Sequence, residues 1–120
     1  MEIDNNDDPV AMYLREAANV QPLTKDEETA LIKELSLLDR RNPQRETAAR
    51  RLIDGHLQAV VDIAEKYSSS GVPMLELLEE GNLGLMEAVD RFVKQPNGDF
   101  REFAATLIEE AIRRCVSESE

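Results

Sequence analysis

Four groups of residues carry side chains from which chemistry could be built. His56 is the only histidine and Cys115 the only cysteine. A zinc site uses closely spaced pairs of ligands, which one His and one distant Cys cannot supply. A catalytic histidine needs a nucleophile beside it, and no such spacing accompanies His56. The carboxylate pairs Glu79-Glu80 and Glu109-Glu110 suggest acid–base work, but neighbouring residues on a helix point about 100° apart, and no substrate pocket is implied beside either pair. Gly81-x-x-Gly84 lacks the Lys-Ser/Thr end and the preceding strand of a phosphate loop. No catalytic residues, metal ligands or cofactor-binding residues emerge, no small-molecule substrate is implied, and the sequence reads as that of a non-enzyme.

A different chemistry is written into residues 74–92. Leu77, Leu78, Leu85, Val89 and Phe92 fall at spacings that serve a core. Glu76, Glu79, Glu80, Leu83, Met86 and Glu87 fall three and four apart on another face. Such a mixed acidic and apolar stripe suits docking on a basic helical partner; the competing reading is a solvated face with incidental apolar exposure. Gly81 and Gly84 each cost about 1 kcal/mol relative to alanine inside a helix. They either admit a close neighbour or mark a break.

The elements that must position this stripe are helices. No segment alternates apolar and polar residues at length, so no strand is predicted. Asp8 before Pro9 caps a short helix near 9–17. Thr24 and Glu27 form a capping box that opens a helix over about 24–40, with Ala30, Leu31, Leu35 and Leu38 on one stripe. Asn42-Pro43 restarts the chain. Helical spacing then runs unbroken through Ala48, Leu52, Ile53, Leu57, Val60, Val61 and Ala64 until Ser68-Ser69-Ser70-Gly71 ends it. Pro73 starts the fourth helix. Gln95-Pro96-Asn97-Gly98 is a turn, and Asp99 or its neighbour opens the last helix. The expectation is an all-α bundle of about five helices in a single domain over 1–120. Leu52, Ile53, Val60, Ile63, Leu77, Leu85, Val89, Phe92, Phe103 and Ile112 are its predicted core.

Charge narrows the function classes. The 120 residues carry a net charge of −11, with −4 in residues 1–60 and −7 in residues 61–120. Nucleic-acid affinity comes mainly from neutralising phosphates, so generic nucleic-acid binding is a poor fit. The longest apolar runs fall far short of the ~18 residues of a membrane span. The acidic start is unlike a secretory signal, and one cysteine forms no intrachain disulfide. A cytoplasmic protein is the simplest expectation.

Two stretches resemble a known family. Asp8-Pro9 followed by Met12-Tyr13-Leu14-Arg15-Glu16, and Glu80-Gly81-Asn82 followed by Gly84-Leu85-Met86, are similar to bacterial RNA polymerase sigma factors of the primary, housekeeping type. The likeness covers residues 8–116. It comprises the family's short upstream region (8–40 here), its core-polymerase-binding second region (43–93) and its promoter-melting helix (99–117). The resemblance implies a compact helical domain that grips the paired clamp helices of the largest catalytic subunit of core polymerase. Carried over by position, the implied contacts are Leu75, Glu76, Glu79, Glu80, Asn82 and Met86. Glu79 stands where the family usually has glutamine.

The departures lie in the last segment. The family's helix there stacks aromatic residues on unpaired bases of the minus-ten element. Its two tryptophans correspond to Thr106 and Leu107, its arginine and glutamine to Glu109 and Glu110, and a usual lysine to Asp99. Phe100 and Phe103 remain as rings but also fit a core role, and Arg113 remains as a cation. Base stacking is worth about 1–3 kcal/mol per base, and carboxylates beside phosphates add repulsion. The resemblance therefore implies weak or absent DNA binding by the chain alone. Three function classes follow. One is a sigma-like regulator or competitor that binds polymerase without melting promoters. Another is a divergent or truncated sigma factor taking part in initiation and minus-ten binding. The third is a helical adaptor that kept the fold and lost the polymerase.

Overall fold

A computed structural model describes residues 8–119. They form six helices: α1 (Pro9–Asn19), α2 (Lys25–Leu37), α3 (Pro43–Asp54), α4 (Leu57–Glu65), α5 (Met74–Lys94) and α6 (Phe100–Glu118), with no strand among the described residues. The caps follow from side-chain chemistry. Asp8 Oδ1 accepts the Val10 N–H at 3.0 Å, ahead of Pro9. The Thr24 hydroxyl accepts the Glu27 N–H at 3.1 Å while the Glu27 carboxylate accepts the Thr24 N–H at 3.0 Å. Asn42 and Asp99 cap α3 and α6 in the same way as Asp8. Each satisfies a donor that the first helical turn leaves unpaired. Arg45 does the converse for α2, donating to the Leu35 carbonyl at 2.7 Å and the Leu38 carbonyl at 3.3 Å.

The expected unbroken helix beyond Asn42 is two helices. Gly55 ends α3, and His56 leaves helical geometry at φ −119°, ψ 10°. The cause lies elsewhere in the chain. Leu23 packs so tightly on Gly55 that a Cβ there would lie 2.5 Å from Leu23 Cδ1. The break also turns His56 inward, where its Nε2 meets Glu28 Oε1 at 2.5 Å. Both side chains are buried. Arg101 completes the clasp, with Nε 3.5 Å from Glu28 Oε2 and Nη2 donating to the Leu23 carbonyl at 2.7 Å. Burial holds the His56 pKa below its ordinary value, against the opposing pull of Glu28. At this contact the ring Nε2–H donates to the Glu28 carboxylate, whose oxygens can only accept. This pairing shifts the inner line of α2 to Glu28, Ile32 and Leu35; Leu31 and Leu38 are half-buried, and Ala30, expected on the stripe, is exposed.

The core lies around α5, whose inner side buries Leu77, Leu78, Leu85, Ala88, Val89, Phe92 and Val93. α6 runs along it more extensively than any other helix pair meets. The helix does not break at its glycines. A Cβ on Gly84 would lie 2.6 Å from the Leu107 carbonyl oxygen and 3.0 Å from Ile108 Cα. The missing side chain is thus what lets two backbones cross. Of the predicted core, Ile53 and Phe103 are only half-buried. Ile53 lines a surface groove, and Phe103 sits at the open edge of a ring cluster, 5.7 Å from Phe92. Phe100 is fully inside, edge-on to both Phe92 and His56. Among the described residues no helix is long and apolar enough to cross a membrane.

Candidate functional site

The residues expected to meet a protein partner form one continuous surface. At 100° per residue, Asn82, Leu75, Met86, Glu79, Leu83, Glu76, Glu87 and Glu80 cover an arc of about 160° on α5. Leu83 is 56% exposed and Met86 46% exposed, so the outer face of the helix offers large apolar groups to solvent. Glu76, Glu79 and Glu87 are exposed around them; Leu75, Glu80 and Asn82 are half-buried. One edge of the arc borders α1 and α3. There Asn82 and Met86 share a groove of about 520 Å³ with Tyr13, Glu16, Glu46, Arg50 and Ile53, among others. The other edge borders α6, where Glu80, Leu83 and Glu87 meet Arg114, Cys115 and Glu118 around a hollow of about 200 Å³.

Two side chains in this region are committed. Asn82 Oδ1 accepts a hydrogen bond from the Tyr13 hydroxyl at 3.0 Å. Glu87 pairs with Arg91 at 2.7 Å, one turn along α5. The Cys115 thiol is pushed up by burial and then by the carboxylates of Glu76, Glu80 and Glu118, so its thiolate is suppressed and it makes a poor nucleophile. No three His, Cys, Asp or Glu side chains converge into a metal site among the described residues.

The positions corresponding to a melting helix are dispersed by the structure. Phe100 and Leu107 are buried and face the core. Asp99 is the exposed cap of α6, accepting the Arg101 N–H at 2.9 Å. Thr106 is exposed, and its hydroxyl donates to the Glu102 carbonyl at 3.0 Å. Glu110 is exposed, its charge near that of Arg113. Glu109 is not a solvated carboxylate. It accepts from the Tyr67 hydroxyl at 2.6 Å and from Lys66 Nζ at 2.9 Å, tying α6 to the residues just after α4. These donors hold its carboxyl below the usual carboxylate range. Arg113 joins the same cluster, Nε donating to the Tyr67 hydroxyl at 3.2 Å. Of the eight positions, only Phe103 keeps a partly exposed ring, beside Arg91 and Lys94 at the α5–α6 turn.

Spacing placed Glu76, Glu79, Glu80, Leu83, Met86 and Glu87 on one face of α5, the resemblance added Leu75 and Asn82, and neither pointed to Tyr13, Lys66 or Tyr67 as partners. No local signal could have found Lys66 and Tyr67, because both act on a helix distant in sequence. Tyr13 belongs to the Met12-Tyr13-Leu14-Arg15-Glu16 motif, and its contact with Asn82 joins two helices distant in sequence.

Residues 52–118 match the family model for sigma-70 region 2, and residues 8–31 match that for sigma-70 factor region 1.2. RNA polymerase sigma factor SigA of Listeria monocytogenes is 40% identical over 111 residues, covering 92% of this chain and 28% of that protein. The SigA proteins of Lactococcus lactis subsp. cremoris and Clostridium acetobutylicum are 38% and 37% identical over 112 residues, covering 93% of this chain and 30% and 28% of theirs. The chain thus spans less than a third of the length of these relatives. With region 1.2 matching α1 and the first half of α2, and region 2 running from the end of α3 to the end of α6, the chain belongs to the sigma-70 family.

Proposed function

We propose that this chain is a non-enzymatic, sigma-like transcription protein that docks on the basic clamp helices of bacterial core RNA polymerase and does not melt promoters. On this reading it regulates or competes with sigma factors. The polymerase partner is supported by relatives named as RNA polymerase sigma factors. The observation that carries the reading is the contrast across one helix pair. α5 exposes Leu83 and Met86 inside a carboxylate rim. α6 has buried Leu107 and Phe100, and Glu109 stands in an ion-paired cluster where the family carries arginine. Residues 8–40 brace the docking region 43–93, and residues 99–117 are the degenerate melting helix. No cofactor and no small-molecule substrate enters the proposal.

The direct test is capture of core polymerase by the chain, repeated against a competing primary sigma factor. Binding with displacement of that factor, and no promoter opening, is expected. Glu76→Lys with Glu80→Lys should weaken the complex by ~1.5 kcal/mol or more, since close interfacial charge pairs couple at that level or above. Rising salt should weaken it too. Unchanged affinity in the double variant would refute this docking face. A second reading, a divergent sigma factor that still binds the minus-ten element, is favoured by the half-buried Phe103 beside Arg91 and Lys94. Sequence-selective binding of minus-ten single strands by the unaltered chain would establish that reading instead.

A further inference from the structure

The bond between Tyr13 and Asn82 joins α1 to the proposed docking helix across 69 positions of sequence. An asparagine amide has an accepting end and a donating end, and whichever end an internal partner takes, the other is turned outward. Here the phenol takes Oδ1. Among the described residues nothing bonds to Nδ2, and Asn82 lines the groove that also holds Met86. The surroundings favour this orientation. Three carboxylates, Glu16, Glu46 and Asp54, line the same groove against one cation, Arg50, and a predominantly acidic lining attracts an N–H2 group where it would repel a carbonyl. The phenol itself stays a donor, because burial and the neighbouring Glu16 and Asp54 push its pKa far above the ordinary tyrosine value. Were the amide reversed, the half-buried hydroxyl would accept from Nδ2 and its own proton would lose this acceptor, at a cost of about a lost neutral hydrogen bond.

We infer that Tyr13 is a positioning residue of the docking face: by holding Asn82 Oδ1 it turns the amide N–H2 outward, so the partner must present a hydrogen-bond acceptor beside the Met86 side chain. The inference rests on the proposed docking to core polymerase. It adds a directional requirement to a face whose other features, acidity and apolar exposure, have no direction.

The test measures core-polymerase affinity and thermal unfolding together for Tyr13→Phe, Asn82→Ala, their combination, and Asn82→Asp. Tyr13→Phe removes only the hydroxyl and should weaken binding about three- to tenfold, the range of a neutral hydrogen bond. In the Asn82→Ala background the same change should have no effect on affinity, whereas a merely structural role would weaken both backgrounds alike. Asn82→Asp still accepts from Tyr13 but has no outward donor, so it should weaken binding. If charge alone governed the face, an added carboxylate would tighten binding to basic helices. Parent-like affinity for Tyr13→Phe, equal losses in both backgrounds, or tighter binding by Asn82→Asp would each overturn the inference. Should Tyr13→Phe unfold the chain, the sign of the Asn82→Asp effect decides alone. Failure of the unaltered chain to bind polymerase would overturn the polymerase reading itself, a result distinct from any of these.

Discussion

The outward sides of α5 and α6 belong to neighbouring helices of the same packed pair, and they handle exposure in opposite ways. α5 leaves Leu83 and Met86 open to solvent among carboxylates. α6 keeps Phe100, Leu107, Ile108 and Ile112 inside and leaves Phe103 only partly open. Of its polar groups, Glu109 and Arg113 bond Tyr67, and Arg101 bonds Glu28 and the Leu23 carbonyl. A surface meant for a partner carries unspent interactions, because every group satisfied internally must be released before it can bind elsewhere. By that measure the proposed docking places the poised face on α5 and the structural one on α6.

The largest effect that would sharpen this contrast comes from the two sides of α5 itself. Leu85→Ala should cost about 2–5 kcal/mol of stability, since Leu85 is 0% exposed. Leu83→Ala should stay within ~0.5 kcal/mol of the parent in denaturant unfolding while weakening capture of the polymerase. A large stability loss from Leu83→Ala would erase the distinction between inner and outer faces.

On α6 the two positions corresponding to tryptophans should separate. Leu107→Trp forces a larger ring into a filled site and should destabilise by ~1–3 kcal/mol. Thr106→Trp, on an exposed position, should be within ~0.5 kcal/mol of neutral. Thr106→Trp with Glu110→Gln is therefore the variant that should gain affinity for single-stranded minus-ten DNA, read by fluorescence anisotropy. Restoring all the family residues together would instead combine an overpacked core with the loss of the Glu109 cluster, and would place an added arginine beside Lys66 and Arg113. Equal stability of the two tryptophan variants would show that α6 is free to present Leu107.

The seam between the helices gives a smaller effect. Alanine gains about 1 kcal/mol over glycine in helix propensity. At Gly84 a Cβ meets backbone of α6, at Gly81 only the ends of the Val60 and Ile112 side chains. Gly84→Ala should thus be net destabilising by ~1–2 kcal/mol, with Gly81→Ala closer to neutral. The reverse order would place the tight contact elsewhere.

The smallest effect concerns Glu109. Its folded carboxyl sits below the ordinary 4.5, held there by Tyr67 and Lys66. Its contribution is therefore fully present above about that value and is lost as pH falls through the lower folded one. Glu109→Gln should cost under ~1 kcal/mol near neutrality, as half-exposed pairs do. The difference between parent and variant should vanish in acid, as followed by unfolding at a series of pH values.

Much of the architecture was legible where its cause was local. Asp8-Pro9, Thr24 with Glu27, and Asn42-Pro43 announce helix starts because a cap acts within three residues. The α5 stripe was legible because a helix repeats its faces. The break at Gly55-His56 was not, since apolar spacing runs straight through it; Leu23 and Glu28 impose it from another part of the chain. The phase of α2 was misjudged for the same reason, because a carboxylate becomes an inner residue only once His56 and Arg101 are in place to receive it. At the candidate site, Glu76, Glu79, Glu80, Leu83, Met86 and Glu87 follow from spacing, Leu75 and Asn82 only from the family resemblance, and the direction of Asn82 from neither. Glu109 read as a bare negative charge because its partners, Lys66 and Tyr67, lie 43 and 42 residues away, with all of α5 between.

The crossing at Gly84 has a mechanical consequence. Where side chains separate two helices, a displacement of one can be absorbed by rotamer changes in the layer between. At Gly84 there is no such layer, and the α6 backbone lies directly on α5. The helices therefore behave near this point as one rivet rather than a bearing. A push on the outer face of α5 is transmitted to residues 107–108 of α6 undamped, and must tilt both helices or neither.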